Sequence, residues 1–585
     1  MIAFIACLLS TLAPVFTVPL REESQAPAIR ALVERPLSVD GHAITTAEIE
    51  RELARSVGRL LIDALVLEAL ADQELVWRAR ESLTKDGRPV DAKALLARRD
   101  EERARLWPSD AAVDTRVQHI LAHHRTEFPR VPEEATVQAR FRTRAWAHDI
   151  ARRELYFDAV LLPDDTTSWS ATTIAALDSA GGEGMADAVR AEIRRRAVDA
   201  ATLGASRLPS DLPERDKRRA LVEGELQSLL TVEQAEHALA TDVLVRVDDG
   251  DGEPELELRT ADVWPRVERA LHETDIELAR RWLAATRALR ARCERDGLAV
   301  ESSGSADAFA RHVQELATAH RTVASAARDA GFTSPAAYAE AFCLQHAFRA
   351  LVLQERARAT ARISPDGGSA AGLVERMRPR AVESAGRGMV NAEAILIPLY
   401  ERPEFRWKRG GWDGVREEAA ALQAEFDDNR ARFQVGTLQV GTEREGVDPD
   451  ALWLERLQQV SGFWDPPVAL HTPERFGHPR NQGRFGRTYR DDLQQMLGET
   501  LQTQIALGTS LADHVFFEQK EDTIEGPVRG PLGYTFTRLV ARLAAKNPLD
   551  LRVDANRKQV EDEALRLAFL HYAREALASA KIDGL

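Results

Sequence analysis

A mostly helical chain with one α+β domain is what this sequence predicts, and three observations predict it. Apolar residues fill 44% of 585 positions but aromatics only 6%, a balance that suits Ala- and Leu-rich helices better than a large sandwich or barrel core. Capping residues stand ahead of apolar stripes at helical spacing near Thr45 and again near Thr260. From about 388 to 545 the pattern changes to strand, helix, glycine loop and strand.

Length and a charged fraction of 29% point to several soluble, globular domains. The net charge of −15 argues against nucleic acid as the main partner, because phosphate binding needs a cationic field. No P-loop occurs, so no ATP-driven step is expected.

The elements follow in order. Residues 1–20 carry no charge, and Ile2 to Val18 is mostly apolar. This reads as an export signal, with a retained membrane anchor as the alternative. Val39-Asp40-Gly41-His42 offers a strand and turn, and Thr45 with Glu48 makes a capping box. Ile49, Leu53, Val57, Leu60 and Leu61 continue at helical spacing, and Ile62, Leu65, Leu67 and Leu70 extend the apolar pattern. The unit covers 36–165. Within it, His119 and His123 share a helix face, but the zincin pattern needs Glu where Ile120 stands, so no metal site is expected. Residues 166–240 read as a helical connector rich in Ala, Arg and Glu.

A second helical unit covers 241–385. Val243–Val247 and Leu256–Leu258 read as two arms of a hairpin. Thr260-Ala261-Asp262-Val263 then repeats the Thr46-Ala47-Glu48-Ile49 pattern. Ser334 caps a further helix with Pro335 in its first turn. Cys293 and Cys343 lie in apolar helical context, where a buried thiol is the common case and one disulfide the alternative. The chain closes, over 546–585, with an amphipathic helix from about Asn556 to Lys581.

Two stretches resemble known families. Val39-Asp40-Gly41-His42, the Thr45 cap and Leu61-Ile62-Asp63 resemble the N-domain of SurA-like periplasmic chaperones, whose terminal segment packs back on that domain; Ala578–Asp583 resembles that segment. Residues 388–545 resemble a parvulin-type peptidyl-prolyl isomerase domain. Ala394-Ile395-Leu396-Ile397 stands for its opening strand, and Val415–Phe433 for its helix. Gln482-Gly483-Arg484-Phe485-Gly486 stands for its glycine loop, and Gly526-Pro527-Val528 with Gly533–Thr537 for its closing segment.

The departures carry equal weight. Ala394 and Thr535 occupy the positions of the family's two active-site histidines, and the pocket phenylalanine falls near Ala512. A prolyl isomerase must hold the ring and stabilise a twisted amide against a barrier of roughly 18–20 kcal/mol. The resemblance therefore implies a degenerate domain with no assignable catalytic residue. Phe485 and Leu532 are the candidates for a shallow substrate-binding groove, or else ordinary core residues. Arginines and aromatics from Arg475 to Arg490 read as a solvated loop.

The functional expectation is an ATP-independent chaperone of the periplasm or cell envelope, without cofactor or metal, whose partners are unfolded envelope proteins. The alternatives are an active isomerase with a rearranged pocket and an envelope scaffold. Mass spectrometry of the mature chain is expected to find its first residue between about 18 and 30. An intact Met1 in a soluble cytoplasmic fraction overturns export.

Overall fold

The computed structural model describes residues 26–127, 137, 141–161, 243–248, 254–318, 323–359, 363–365, 368–401, 406–408, 410–438, 447–462, 483–530, 533–544 and 549–585. The leader, the 166–240 connector, the arginines from Arg475 to Arg480 and Leu532 lie outside them. The described chain is mostly helical with a minor β component.

After α1 (Ala26–Glu34), β1 (Leu37–Val39) and β2 (His42–Ile44) pair as a hairpin. Its turn residues Asp40 and Gly41 both have positive φ, which suits an Asp-Gly pair. Thr45 then caps α2 (Thr46–Ser56): its Oγ1 accepts from the Glu48 N–H at 3.2 Å, and the Glu48 carboxylate accepts from the Thr45 N–H at 2.8 Å. The apolar stripe does not continue as one helix. It breaks at Gly58, and α3 runs from Arg59 to Lys85. A Cβ on Gly58 would stand 2.4 Å from the Ala54 carbonyl oxygen and 3.0 Å from Val267 Cγ2, so glycine allows the close approach of a distant helix there.

Helices α4 (Ala92–Leu106), α5 (Asp110–Glu127) and α6 (Arg144–Leu161) complete the first unit. Charged groups cross-link α3 to α4 and α6. Arg103 bridges Glu68 and Asp72, Arg153 donates to Glu68 at 2.6 Å, and the Tyr156 hydroxyl donates to Asp72 at 2.7 Å. Each member is partnered, which is the condition under which buried charge is tolerated.

The predicted hairpin forms as β3 (Val243–Asp248) and β4 (Pro254–Arg259), followed by α7 (Thr260–Val267). Asp262 accepts from the Arg259 N–H at 2.7 Å, so Thr260 holds the first helical position, as Thr46 does in α2. The two similar helices do not build separate cores. Val263 and Val267 are buried in the same cluster as Ile49 and Leu53.

Helix α8 (Glu273–Arg295) joins two cores along its length. Ile276, Ala279, Ala284 and Ala288 belong to the first, while Trp282, Ala285, Leu289 and Cys293 belong to the second. That second core also takes side chains from α9 (Ser305–Thr318), α10 (Val323–Asp329), α11 (Pro335–Arg358) and α12 (Ala370–Ala385). Ser334 caps α11 by accepting from the Ala337 N–H at 3.1 Å. Cys293 and Cys343 are both buried free thiols.

The α+β region starts with β5 (Met389–Pro398) and a short ribbon, β6 (Tyr400–Glu401) with β7 (Arg406–Trp407). Helices α13 (Gly411–Leu438) and α14 (Pro449–Gln459) follow, then β8 (Arg484–Thr488), α15 (Arg490–Met496) and α16 (Leu501–Leu507). Strands β9 (Thr523–Gly530) and β10 (Gly533–Leu543) close it. The sheet order is β8-β5-β10-β9, antiparallel throughout. One face packs Ile395, Ile397 and Phe536 against Val415, Phe426 and Trp453; the other packs Ala392, Ala394, Leu396 and Leu539 against Leu493, Met496, Val515 and Phe516.

Helix α16 leaves this region and enters the helical body. Ile505 and Ala506 are buried in the second helical core, and Gln502 exchanges hydrogen bonds with Thr333 at 2.8 and 3.0 Å. The last helix, α17 (Asp554–Ser579), lies along α12 in that same core.

Strand β11 (Ile582–Asp583) returns to the beginning of the chain and pairs antiparallel with β1, Val39 opposite Ile582. Behind it, the buried Arg280 guanidinium donates to four carbonyls: Leu32 at 3.2 Å, Arg35 at 2.7 Å, Pro36 at 3.0 Å and Gly584 at 2.9 Å. Among the described residues no helix is long and apolar enough to cross a membrane. Arg280→Met is expected to cost about 2–4 kcal/mol, since it removes the charge-assisted hydrogen bonds that four carbonyls accept from a buried guanidinium. Denaturant melts measure the loss, and hydrogen exchange should report early opening of both β1 and β11.

Candidate functional site

The sheet face formed by β5 and β10 is where the sequence places its site. The antiparallel register sets Ala394 opposite Thr537 and Leu396 opposite Thr535, so Ala394 and Thr535 are diagonal neighbours on one face. Both are buried: Ala394 is 0% exposed and Thr535 5%. Phe485, on β8, is also 5% exposed and belongs to the same apolar cluster as Ala394 and Ala512. Three of the residues singled out in the sequence, together with Thr535, thus converge on one filled face. Phe485 contributes to that packing. Leu532 falls outside the described residues.

This face is closed by backbone as well as side chains. The Ala394 N–H donates to the Gly483 carbonyl at 2.7 Å. A Cβ on Gly483 (φ 85°) would lie 2.3 Å from the Ala394 carbonyl oxygen, so only glycine permits that crossing. Below it, Gln519 is fully buried and ties three points together. Its Nε2 donates to the Thr523 and Thr537 carbonyls, each at 2.9 Å, and its Oε1 accepts from Thr537 Oγ1 at 2.9 Å.

An imidazole, that of His514, stands at the edge of the sheet beside β9. Its Nε2 meets Glu525 at 2.6 Å and its Nδ1 meets Glu518 at 3.2 Å. Burial raises the Glu518 carboxyl, but hydrogen bonds from Arg380 and His514 outweigh it and hold the group below its ordinary range. Sequence reasoning missed His514 and Gln519. They lie in a short helical turn over 511–518 and just after it, where no motif marks them.

Glu499 supports the same face from behind. It accepts from the Leu511 N–H at 2.5 Å and the Ala512 N–H at 3.2 Å, which fixes Ala512 under the sheet. Burial pushes its carboxyl up to about 7. Beside it, burial would also raise Asp513, but Arg490 and Arg566 hold it low.

A concavity lies instead in the helical body. Between α11 and α17 is a cleft of about 160 Å³ lined by Phe342, Phe348, Leu565 and Phe569, with Gln345, His346, Arg349 and Asp562 around it. Arg349 pairs with Asp562 at 2.7 Å across the two helices. Among the described residues no cluster of His, Cys, Asp or Glu has the arrangement of a metal site.

The raised carboxyls have a pH consequence. A carboxyl whose folded value exceeds its unfolded value favours the folded state below about pH 4.5, and that contribution is lost as pH rises through about 7. Glu52, buried on α2, is pushed to about 7 in the same way. Unfolding midpoints are expected to fall between about pH 5 and pH 8, and Glu499→Gln combined with Glu52→Gln should flatten that fall. An unchanged slope in the double variant overturns the assignment.

No family model matches this chain, and no curated protein matches it.

Proposed function

We propose that the protein is a SurA-like chaperone of the cell envelope that binds unfolded chain segments without ATP, and that its parvulin-like domain is a degenerate, structural one. The carrying observation is the pairing of β11 with β1, because a terminal segment that packs back on the N-domain is what the resemblance implies. The order of the α+β region supports the second half of the reading. The opening strand β5 and the closing strand β10 are the two central strands, and the glycine loop runs into β8 beside β5.

The family's histidine positions carry a methyl group at Ala394 and a hydroxyl at Thr535, both under packed side chains. Neither group takes the part of an imidazole beside a twisting amide. Client binding then belongs to the helical body. That body includes α16, so a truncation lacking all of 388–545 removes part of its core.

Two measurements on the intact chain test this. A protease-coupled assay on an Xaa-Pro peptide is expected to show no acceleration over spontaneous isomerisation, which takes tens of seconds. Light scattering is expected to show suppressed aggregation of an unfolded outer-membrane protein at matched concentrations. Robust turnover favours a rearranged isomerase, and failure to bind any unfolded chain favours the scaffold alternative.

A further inference from the structure

We infer that the contact between α8 and the Trp412 edge of the α+β region is a releasable latch, in which Arg529 leaves Glu277 and the Trp412 ring as that edge swings away from α8.

The two sides of the α+β region are held differently. On one side α16 is buried in the second helical core, and Glu518 pairs with Arg380 of α12 at 2.9 Å. On the other side the contact with α8 is made by charged and polar groups. The Arg529 guanidinium of β9 lies 3.8 Å from the Trp412 ring centre and pairs with Glu277 of α8. Trp412 meets Tyr534 of β10 edge-to-face with centroids 6.0 Å apart. Glu273 of α8 approaches the start of α13, where a Cβ on Gly411 would stand 2.3 Å from its Oε2.

This contact is imperfectly satisfied when closed. The Trp412 Nε1–H and the Arg529 Nε–H are buried and meet no acceptor among the described residues. Burial, reinforced by Arg281 and opposed by Glu277, holds the Arg529 pKa below its ordinary value. A buried donor without an acceptor forfeits its hydration and gains nothing in return. Opening returns water to both N–H groups.

Glu277 makes the release reversible. Arg281 Nε reaches the same Glu277 oxygen at 2.8 Å that Arg529 contacts. When Arg529 leaves, Glu277 keeps Arg281, its neighbour one helical turn along. Arg281 is therefore a competitor of Arg529 for one carboxylate. The open state strands no charge, and the closed state gains a cation over an indole face. Two arrangements of similar free energy are what a two-state element requires.

The test uses the full-length protein with fluorotryptophan at all ten Trp positions, followed by fluorine NMR. Loss of one line in Trp412→Phe assigns Trp412, and the shift of that line between light and heavy water reads its exposure to solvent. Glu277→Gln is expected to move the line towards the solvent-exposed position, with the open-to-closed ratio raised about threefold, as loss of a partly exposed ion pair does. Arg281→Gln is expected to move it the opposite way, because Glu277 is then left to Arg529 alone and a like charge beside Arg529 is gone. The other tryptophan lines should hold their places. A Trp412 line that does not move in either variant overturns the latch. So does movement in the same direction in both, which is the behaviour of a static ion-pair cluster weakened by either loss. If Glu277→Gln disturbs all the lines together, Arg529→Gln breaks the same pair from the other side and decides by the same criteria.

Discussion

The architecture depends on Arg280. A guanidinium has five donors and no acceptor, and here its donors reach carbonyls from two parts of the chain about 550 residues apart: Leu32, Arg35 and Pro36 on one side, Gly584 on the other. A buried cation is costly, and burial, reinforced by Arg35 and only partly offset by Glu277, lowers the Arg280 pKa. The carbonyls offset that cost and give the strand pair β1–β11 a fixed support on α8. Gly584 belongs to the same constraint. Its φ is 96°, and a Cβ would come within 2.0 Å of the Pro36 carbonyl oxygen.

From that support the rest is interlocked. Helix α8 contributes to both helical cores, and the first core draws residues from 29 to 157 and again from 258 to 288. The second draws on α9 to α12, on α16 from within the α+β region, and on α17. Chain order and core membership therefore differ. The α+β region is tied to the body by its own inserted helix and also by Arg529, whose guanidinium lies 3.8 Å from the Trp412 ring centre and pairs with Glu277 of α8. A cation over an indole face is held without full hydration, which suits an interface between two packed units.

The filled sheet face and the cleft of the helical body are packed differently. At Ala394 and Thr535 the backbone of Gly483 and the side chains of the 490–518 segment close over the strands, and small residues allow that closure. Between α11 and α17 a cleft of about 160 Å³ is lined by Phe342, Phe348, Leu565 and Phe569, and the Arg349–Asp562 pair spans the two helices at the surface.

Local features of the fold were legible in the sequence because local chemistry sets them. The Thr45–Glu48 box, the Ser334–Pro335 start and the Asp40-Gly41 turn each depend on residues within a few positions of one another. The strand around Ala394 was legible as an apolar run, the closing strand after Gly533 only through the family resemblance, and the long helices of the body from their stripes. The close approach of Val267 to Gly58 was not, because the two lie about two hundred residues apart. Nor were the merger of the two capped helices into one core, the return of α16 to the body, or the grouping of His514 with Glu518 and Glu525. The sequence by itself determined the capped starts of α2 and α11 and the turn at Asp40-Gly41. Only the tertiary structure decided that Ala394, Ala512 and Phe485 fill one another's space and that the open cleft lies elsewhere. Contacts between segments far apart in sequence leave no periodic trace in either segment alone.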